Sequence, residues 1–212
     1  MIKTKVIGRV FRQDEIADQI YDMWIETELA QGARPGQFVC VYTRNAAALL
    51  PRPISICEVN EEKTMLRLVY RTVGKGTNEF ATYHAGAEIS LLGPLGNGFP
   101  VEKAAGKRVF LIGGGIGIPP MLQLSKEIKK AGQAYCELSV LGYRNELFLN
   151  TDLEKYSQVY VATEDGSTGT KGTVLDAIKE KGLSGDVIFA CGPMPMLRAI
   201  KEYAAANNME AY

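Results

Sequence analysis

The hydrophobic pattern of this chain changes period once, near GNGFPVEKAAGKR at residues 96 to 108. Upstream, the apolar residues come in short runs. GRVFRQDEIADQIYDMWIET holds two, and QFVCVYT, PISICEVN, MLRLVYR and AEISLLG follow. Val, Ile, Tyr and Thr are enriched in these runs, and Gly, Pro or Asn stand between them, which is how strands read. Only TNEFATYH, residues 77 to 84, reads as a helix. Six or so strands with one small helix predict an antiparallel barrel or sandwich. Downstream, strands RVFLIGG, YCELSVLGYR, QVYVATED and DVIFACG interleave with helices PPMLQLSKEIKKAG, GTVLDAIKEKG and MPMLRAIKEYAAA. Alternation of that kind implies right-handed βαβ units and a parallel sheet covered on both faces. The chain therefore reads as two domains: an antiparallel β-barrel over residues 1–100, then an α/β parallel-sheet domain over 101–212.

Bulk numbers remove several function classes. Lys plus Arg equals Asp plus Glu, at 24 each, so no net charge selects nucleic acid or an anionic membrane. No apolar run approaches the roughly 20 residues that span a bilayer. The N-terminal stretch lacks the apolar core of a signal peptide, and the chain reads as cytoplasmic. The one histidine, His84, excludes a His-based metal site and reads as a surface residue. Cys40, Cys57, Cys136 and Cys191 form no CxxC pair and match neither zinc nor iron–sulfur spacing. Each reads as a buried apolar thiol, with Cys191 the exception taken up below.

Gly113, Gly114, Gly115 and Gly117 end the first downstream strand, and Pro119 and Pro120 open the helix after them. Ligands of doubly wound sheets bind beyond the carboxyl ends of the strands. Glycine lets backbone approach a ligand closely, and the start of a helix favours phosphate. The usual GxGxxG fingerprint is broken by Pro120, and no acid follows about 20 residues on. A tight strand–helix turn without a ligand is the competing reading. No GxxxxGK[ST] occurs, because VGKGT lacks the first glycine and has Gly76 after its lysine. Two further loops, ATEDGSTGTKG and CGPMPM, fall at equivalent strand ends, and three such loops on one sheet edge point to a nucleotide cleft.

The order RPIS, VGKGT, GPLGNGF, GGGIGIPPM and CGPMPM resembles the ferredoxin–NADP reductase superfamily, in which a flavin-binding barrel precedes a pyridine-nucleotide domain. Within it, RPISI with YRTVGKGT and LLGPLGNGFP is most similar to the electron-transfer subunits of type B dihydroorotate dehydrogenase. The resemblance implies FAD at Arg52, Pro53, Ser55, Tyr70, Arg71, Gly74, Lys75, Gly76 and Thr77. Arg52 would neutralise the pyrophosphate with its forked donors. Ser55 would bond the flavin edge near N5, and Thr77 would offer its hydroxyl to the pyrophosphate. A surface arginine and a pleat serine are the competing readings, and a plain N-cap at Thr77 is compatible with its role. GPLGNGF would close the barrel at the domain interface. NAD(H) would lie along Gly113, Gly114, Gly115 and Gly117, with Cys191, Gly192, Pro193 and Met194 beside the nicotinamide. Cys191 would help to position the ring or be a structural thiol. Glu164 and Asp165 favour NAD over NADP, since carboxylates accept from a ribose 2′-OH and repel a 2′-phosphate, while Arg144 argues the other way. Hydride transfer between nicotinamide and flavin then needs no acid or base from the protein, so no catalytic side chain is expected beyond Cys191 and Ser55.

The resemblance also implies a partner, the FMN-containing catalytic subunit, in a heterotetramer serving pyrimidine biosynthesis. Electrons would pass from dihydroorotate through FMN and a [2Fe–2S] cluster to FAD and then NAD+. The family holds that cluster with four cysteines of a C-terminal extension. This chain stops at AAANNMEAY, where the extension would begin, and its own cysteines do not replace it, so no metal is expected here; the chain reads as a truncated form, with a family member that lost the cluster as the competing reading. The competing functions are the flavin subunit of a ferredoxin:NADP oxidoreductase or of a sulfhydrogenase, and a non-catalytic nucleotide-binding module.

Overall fold

The computed structural model describes residues 5–45 and 48–212. The chain divides into two compact units, Met1–Gly98 and Phe99–Tyr212.

In the first unit, β1 (Lys5–Ala17), β2 (Ile20–Glu26), β3 (Phe38–Tyr42), β4 (Arg52–Val59), β5 (Met65–Arg71) and β6 (Glu88–Leu95) close into a barrel in the order β1-β2-β5-β4-β3-β6. Every pairing is antiparallel. Strand alternation sends one set of side chains inward. Val10, Met23, Ile25, Val39, Val41, Ile56, Leu66, Leu68 and Leu91 fill the interior. A sandwich is excluded because β6 returns to β1 through Lys5↔Leu92 to Arg9↔Glu88. The GPL of GPLGNGF lies in β6, where Leu95 pairs with Phe38 of β3, and the Gly93–Pro94 peptide is cis.

The one helix of the barrel, α1, runs Lys75–Phe80. It starts two residues before the predicted TNEFATYH segment and ends four before its end. The early stop has a local cause. Thr82 Oγ1 donates to the Glu79 carbonyl at 2.7 Å, so a side chain takes an acceptor the next turn would need. Phe80 and Tyr83 then drop into the barrel core. His84 is exposed, as its sequence context indicates.

The second unit has β7 (Arg108–Gly114), α2 (Pro119–Ala131), β8 (Cys136–Tyr143), α3 (Asn150–Leu153), β9 (Gln158–Thr163), β10 (Thr170–Lys171), α4 (Val174–Glu180), β11 (Val187–Cys191), α5 (Met194–Ala206) and β12 (Glu210–Ala211). The strands form one parallel sheet, β10-β9-β8-β7-β11-β12. Val109, Phe110, Leu111 and Ile112 of β7 are all fully buried, because a central parallel strand is covered on both faces. α2 opens on two prolines and stops at Gly132, whose left-handed φ of 62° lets its N–H bond the Ile128 and Lys129 carbonyls. Strand order reverses between β7 and β11, so the carboxyl ends of those two strands flank the crevice where such sheets take ligands.

The cysteines depart from expectation. All four are free, but only Cys57 is buried; Cys40, Cys136 and Cys191 are half-buried. Cys40 lies on the outward side of β3, where alternation exposes it, and Cys136 starts β8.

Candidate functional site

In the barrel, β4 and β5 are hydrogen-bonded neighbours over only part of their length. Their register runs from Val59↔Leu66 through Glu58↔Arg67 to Ile56↔Leu68 and goes no further. Arg52, Pro53, Ile54 and Ser55 pair with β3 alone. Tyr70 and Arg71 pair with β2 alone. Backbone polar groups need partners, and here the facing edges of two strands leave theirs to something else. The result is a wedge bordered by the RPIS and YR segments.

α1 stands at the mouth of this wedge. An added Cβ on Gly76 would lie 2.6 Å from Arg52 Nε and 2.9 Å from its Cζ. Glycine at 76 therefore lets the guanidinium lie flat across the first turn of α1, and Arg52 is anchored there by donating to the Leu50 carbonyl. The fixed charge of Arg52, the exposed Lys75 and half-buried Arg71, and the first-turn N–H groups add up to a positive corner suited to a pyrophosphate. Leu49, Leu50 and Val73 are 84%, 76% and 79% exposed and give it an apolar rim. Sequence reading missed that rim, because isolated apolar residues in loops carry no periodicity.

One expected side-chain role, that of the Thr77 hydroxyl, is corrected, and that of Tyr70 is narrowed to its strand edge. Thr77 is not the N-cap; Gly74 is. The Thr77 hydroxyl accepts from the N–H groups of Val73 (2.9 Å) and Gly74 (3.2 Å) and donates to the Gly74 carbonyl (3.1 Å). One donor and two lone pairs are then spent, and only its backbone remains for a ligand. Tyr70 points into the core. It is 2% exposed, its hydroxyl donates to Gln13 Oε1 at 2.8 Å, and its ring stacks on Tyr21 at 5.8 Å. Burial, then the neighbouring Tyr21, drives its pKa far above the usual phenol range, so Tyr70 serves any ligand only through its main chain. Ser55 is half-buried, and its hydroxyl has no partner among the described residues.

In the second unit, Cys191 pairs with Gly113 across the β11–β7 ladder. Most of the glycine run is explained by close packing against three neighbours: the β11 end, the start of α5 and the turn itself. A Cβ on Gly117 would meet the Cys191 carbonyl oxygen at 2.3 Å. One on Gly114 would meet Met196 Sδ at 2.5 Å, and one on Gly113 the Ile118 Cα at 2.9 Å. Gly192 gives the same result against Met196 Cε, at 2.3 Å. Only Gly115, at φ +52°, has open space where a side chain would stand. The start of α2 is a weaker anion site than predicted. Pro119 and Pro120 supply no N–H, and both are buried. A ligand at this edge meets the backbone of Gly115 and the exposed Ile116, with Pro193 and Met194 exposed at the start of α5. The thioether of Met196, which sequence reading passed over, wedges between Gly114 and Gly192; its place in CGPMPM was the available signal. Burial pushes the Cys191 thiol pKa up, so it is held protonated and is not a thiolate nucleophile.

Beyond β9, Glu164 and Asp165 separate in role. The Asp165 carboxylate accepts from the N–H and the hydroxyl of Ser167, at 2.9 and 2.7 Å. These bonds hold its pKa below the usual carboxylate value and close the turn at Gly166, φ +79°. Glu164 and Arg144 are both exposed.

A family model described as an oxidoreductase NAD-binding domain matches residues 111–202. The electron-transfer subunit of dihydroorotate dehydrogenase B (NAD+) from Bacillus caldolyticus is 43% identical over 206 residues, covering 93% of this chain and 79% of that protein. The subunit of the same name from Bacillus cereus strain G9842 is 43% identical over 197 residues, covering 91% and 75%. The chain belongs to this family. Among solved structures, an NADH-dependent reduced ferredoxin–NADP oxidoreductase superposes with a TM-score of 0.84 at 29% identity, over 94% of this chain and 72% of that one. A ferredoxin NADP+ reductase from Neisseria gonorrhoeae, with bound FAD and NADP, shares the fold at a TM-score of 0.80 and 15% identity, over 95% and 91%. The electron-transfer subunit family thus combines a ferredoxin reductase-like barrel with an NAD-binding sheet, as the order of motifs implied.

Proposed function

We propose that this chain is the flavoprotein electron-transfer subunit of an NAD+-dependent dihydroorotate dehydrogenase, with FAD on the barrel unit and NAD(H) on the α/β unit. The identity to the curated subunits over nine-tenths of the chain carries the reading. The barrel fits the flavin by two observations: the unpaired edges of β4 and β5, and the cradle at Gly76 that a Cβ would fill. Arg52 with the backbone N–H groups of Lys75, Gly76 and Thr77 would hold the pyrophosphate, next to Gly74, whose own N–H is taken by the Thr77 hydroxyl. Pro53, Ser55 and the main chain of Tyr70 and Arg71 would line the ring and ribityl chain. Gly115 and Ile116 would meet the pyrophosphate of NAD(H), and Cys191, Gly192, Pro193 and Met194 would border the nicotinamide. When bound, FAD exchanges hydride with the nicotinamide; the protein's part is to orient the two and exclude water. No proton need move at a side chain, in keeping with a protonated, half-buried Cys191.

The proposal extends to a cytoplasmic heterotetramer with an FMN-containing catalytic subunit that oxidises dihydroorotate to orotate. The described residues hold no group of three or more His, Cys, Asp or Glu placed to bind a metal ion, and so do not fit the [2Fe–2S] cluster of the family.

An absorption spectrum before and after anaerobic NADH tests the reading. The expected result is a flavin band near ~450 nm that bleaches on addition of NADH. A colourless protein that cannot be reconstituted with FAD overturns it and leaves a nucleotide-binding module.

A further inference from the structure

Arg52 to Ser55, the part of β4 that has left β5, takes its strand partner from β3 alone. The start of β3 therefore fixes where that segment lies. Gln37 stands immediately before β3 and is 5% exposed. Its side chain bonds two separate stretches of main chain. The Oε1 atom accepts from the Arg34 N–H at 2.9 Å, and Nε2 donates to the Gly96 carbonyl at 2.8 Å. Its own main chain adds two more bonds. The N–H donates to the Arg34 carbonyl at 3.2 Å, and the carbonyl accepts from the Ile56 N–H at 2.9 Å. Ile56 is the residue at which β4 parts from β5, so Gln37 is bonded to the apex of the wedge. The loop after β6 lies close against this stretch. A Cβ on Gly98 would stand 2.8 Å from the Pro35 carbonyl oxygen, and one on Gly96 3.3 Å from Phe38 Cε1. Phe38 pairs with Ser55 on one side and with Leu95 on the other.

We propose that Gln37 is a positioning residue for the flavin: it pins the start of β3 to the loop after β6, and thereby holds Ser55 and the rest of the RPIS segment where the ring needs them. The inference rests on the flavin reading of the barrel unit. Removing a buried amide that bonds two main-chain groups leaves both partners unpaired, and the stretch it joined is free to shift. Hydride transfer is slowed steeply by displacements of about 1 Å. A shift at the start of β3 would reach the chemistry through Ser55 without altering any group that meets the nicotinamide coenzyme. Gln37 belongs to none of the motifs read from the sequence.

Stopped-flow reduction of the FAD-loaded protein by NADH tests this. Gln37→Met keeps a similar volume and makes neither side-chain bond. Its limiting rate of flavin reduction should fall about tenfold or more, while the NADH concentration at half-saturation stays within about twofold of the parent's. Val10→Ala is the comparison, since it opens a cavity in the same barrel core and lowers stability without touching these bonds. Its limiting rate should remain within about twofold of the parent's. A parent-like rate in Gln37→Met, or an equal loss in Val10→Ala, overturns the inference and leaves Gln37 a residue of the fold alone, while the flavin reading stands. A loss expressed in half-saturation rather than in the limiting rate overturns it too. A parent that holds no FAD overturns both. Should Gln37→Met fail to accumulate, Gln37→Asn decides by the same comparison, because it keeps the amide but draws it back from Gly96 by one carbon.

Discussion

Arg52 and Gly76 act as one unit, since the guanidinium occupies the space a side chain at 76 would take. Truncating Arg52 removes a fixed charge from the mouth of the wedge but little packing, as the residue is only half-buried. Arg52→Ala should therefore weaken FAD by about 1.5–3 kcal/mol, the worth of a charge-assisted contact, and lower the Tm of the flavin-free protein by no more than a few degrees. The ratio of flavin to protein absorbance after gel filtration reads the first effect; a parent-like ratio would remove Arg52 from the site. The glycine run makes a second contrast. Gly117→Ala drives a Cβ into the Cys191 carbonyl, a backbone clash that should cost about 2–4 kcal/mol. Gly115→Ala meets open space and should cost about 1–2 kcal/mol for its left-handed φ, with a loss of NADH affinity that Gly117→Ala does not explain by stability alone. Denaturant melts with and without NADH separate the two. Residue identities were legible as motifs, but the state of their atoms was not. Nothing in the letters of GKGT says that the Thr77 hydroxyl is already spent, nor in ATEDG that Asp165 is bound by Ser167. Both facts depend on turns that bring neighbours within 3.2 Å.

The longer elements were legible because composition and burial agree: the barrel strands are short apolar runs between turn residues, β3 alternates, and β7 and β11 are continuous apolar runs. What escaped were β10, of two residues, and α3, of four, each too short to repeat the pattern that would reveal it. Pairing between strands also escaped, and with it the divergence of β4 from β5. Packing between elements adds a titration that sequence could not show. Glu137 of β8 lies under α2, where Ser125 Oγ donates to its Oε2 at 3.1 Å. Burial pushes its pKa from 4.5 up to about 7, against the opposing pull of Ser125 and Lys129. The folded carboxyl thus keeps its proton to a higher pH than the unfolded one, and the fold loses stability as pH rises from 4.5 through about 7. Glu137→Gln removes that loss. Its Tm should exceed the parent's at pH 8 by roughly 2–6 °C, from about 1–2 kcal/mol after allowing for partial exposure. The gap should shrink at pH 5. A gap that is equal at both pH values, or larger at pH 5, would falsify the assignment.

Each unit of the whole molecule has its own core, one built from Val10, Ile25, Leu68 and their neighbours, the other from Phe110, Val140, Ile188 and theirs. Each also opens its ligand-competent backbone at one place, for different reasons. In the barrel, two neighbouring strands part before their ends. In the sheet, strand order reverses and leaves the carboxyl ends of β7 and β11 beside a crevice. Ligands that bind only the folded form protect the backbone they touch, and at a hundredfold excess over Kd they add about 2.7 kcal/mol of stability. Hydrogen exchange read by mass spectrometry should therefore resolve the two cofactors on one molecule. Removing FAD should speed exchange over residues 52–55 and 70–77 and leave 113–117 unchanged. Adding NAD+ to the FAD-loaded protein should slow exchange over 115–117, 163–167 and 191–194, with no change in the barrel core strands. If FAD removal deprotected only the sheet loops, the pyrophosphate corner at Arg52 would be misassigned. If NAD+ protected only the barrel, the glycine loop and the Glu164 loop would have no ligand to hold.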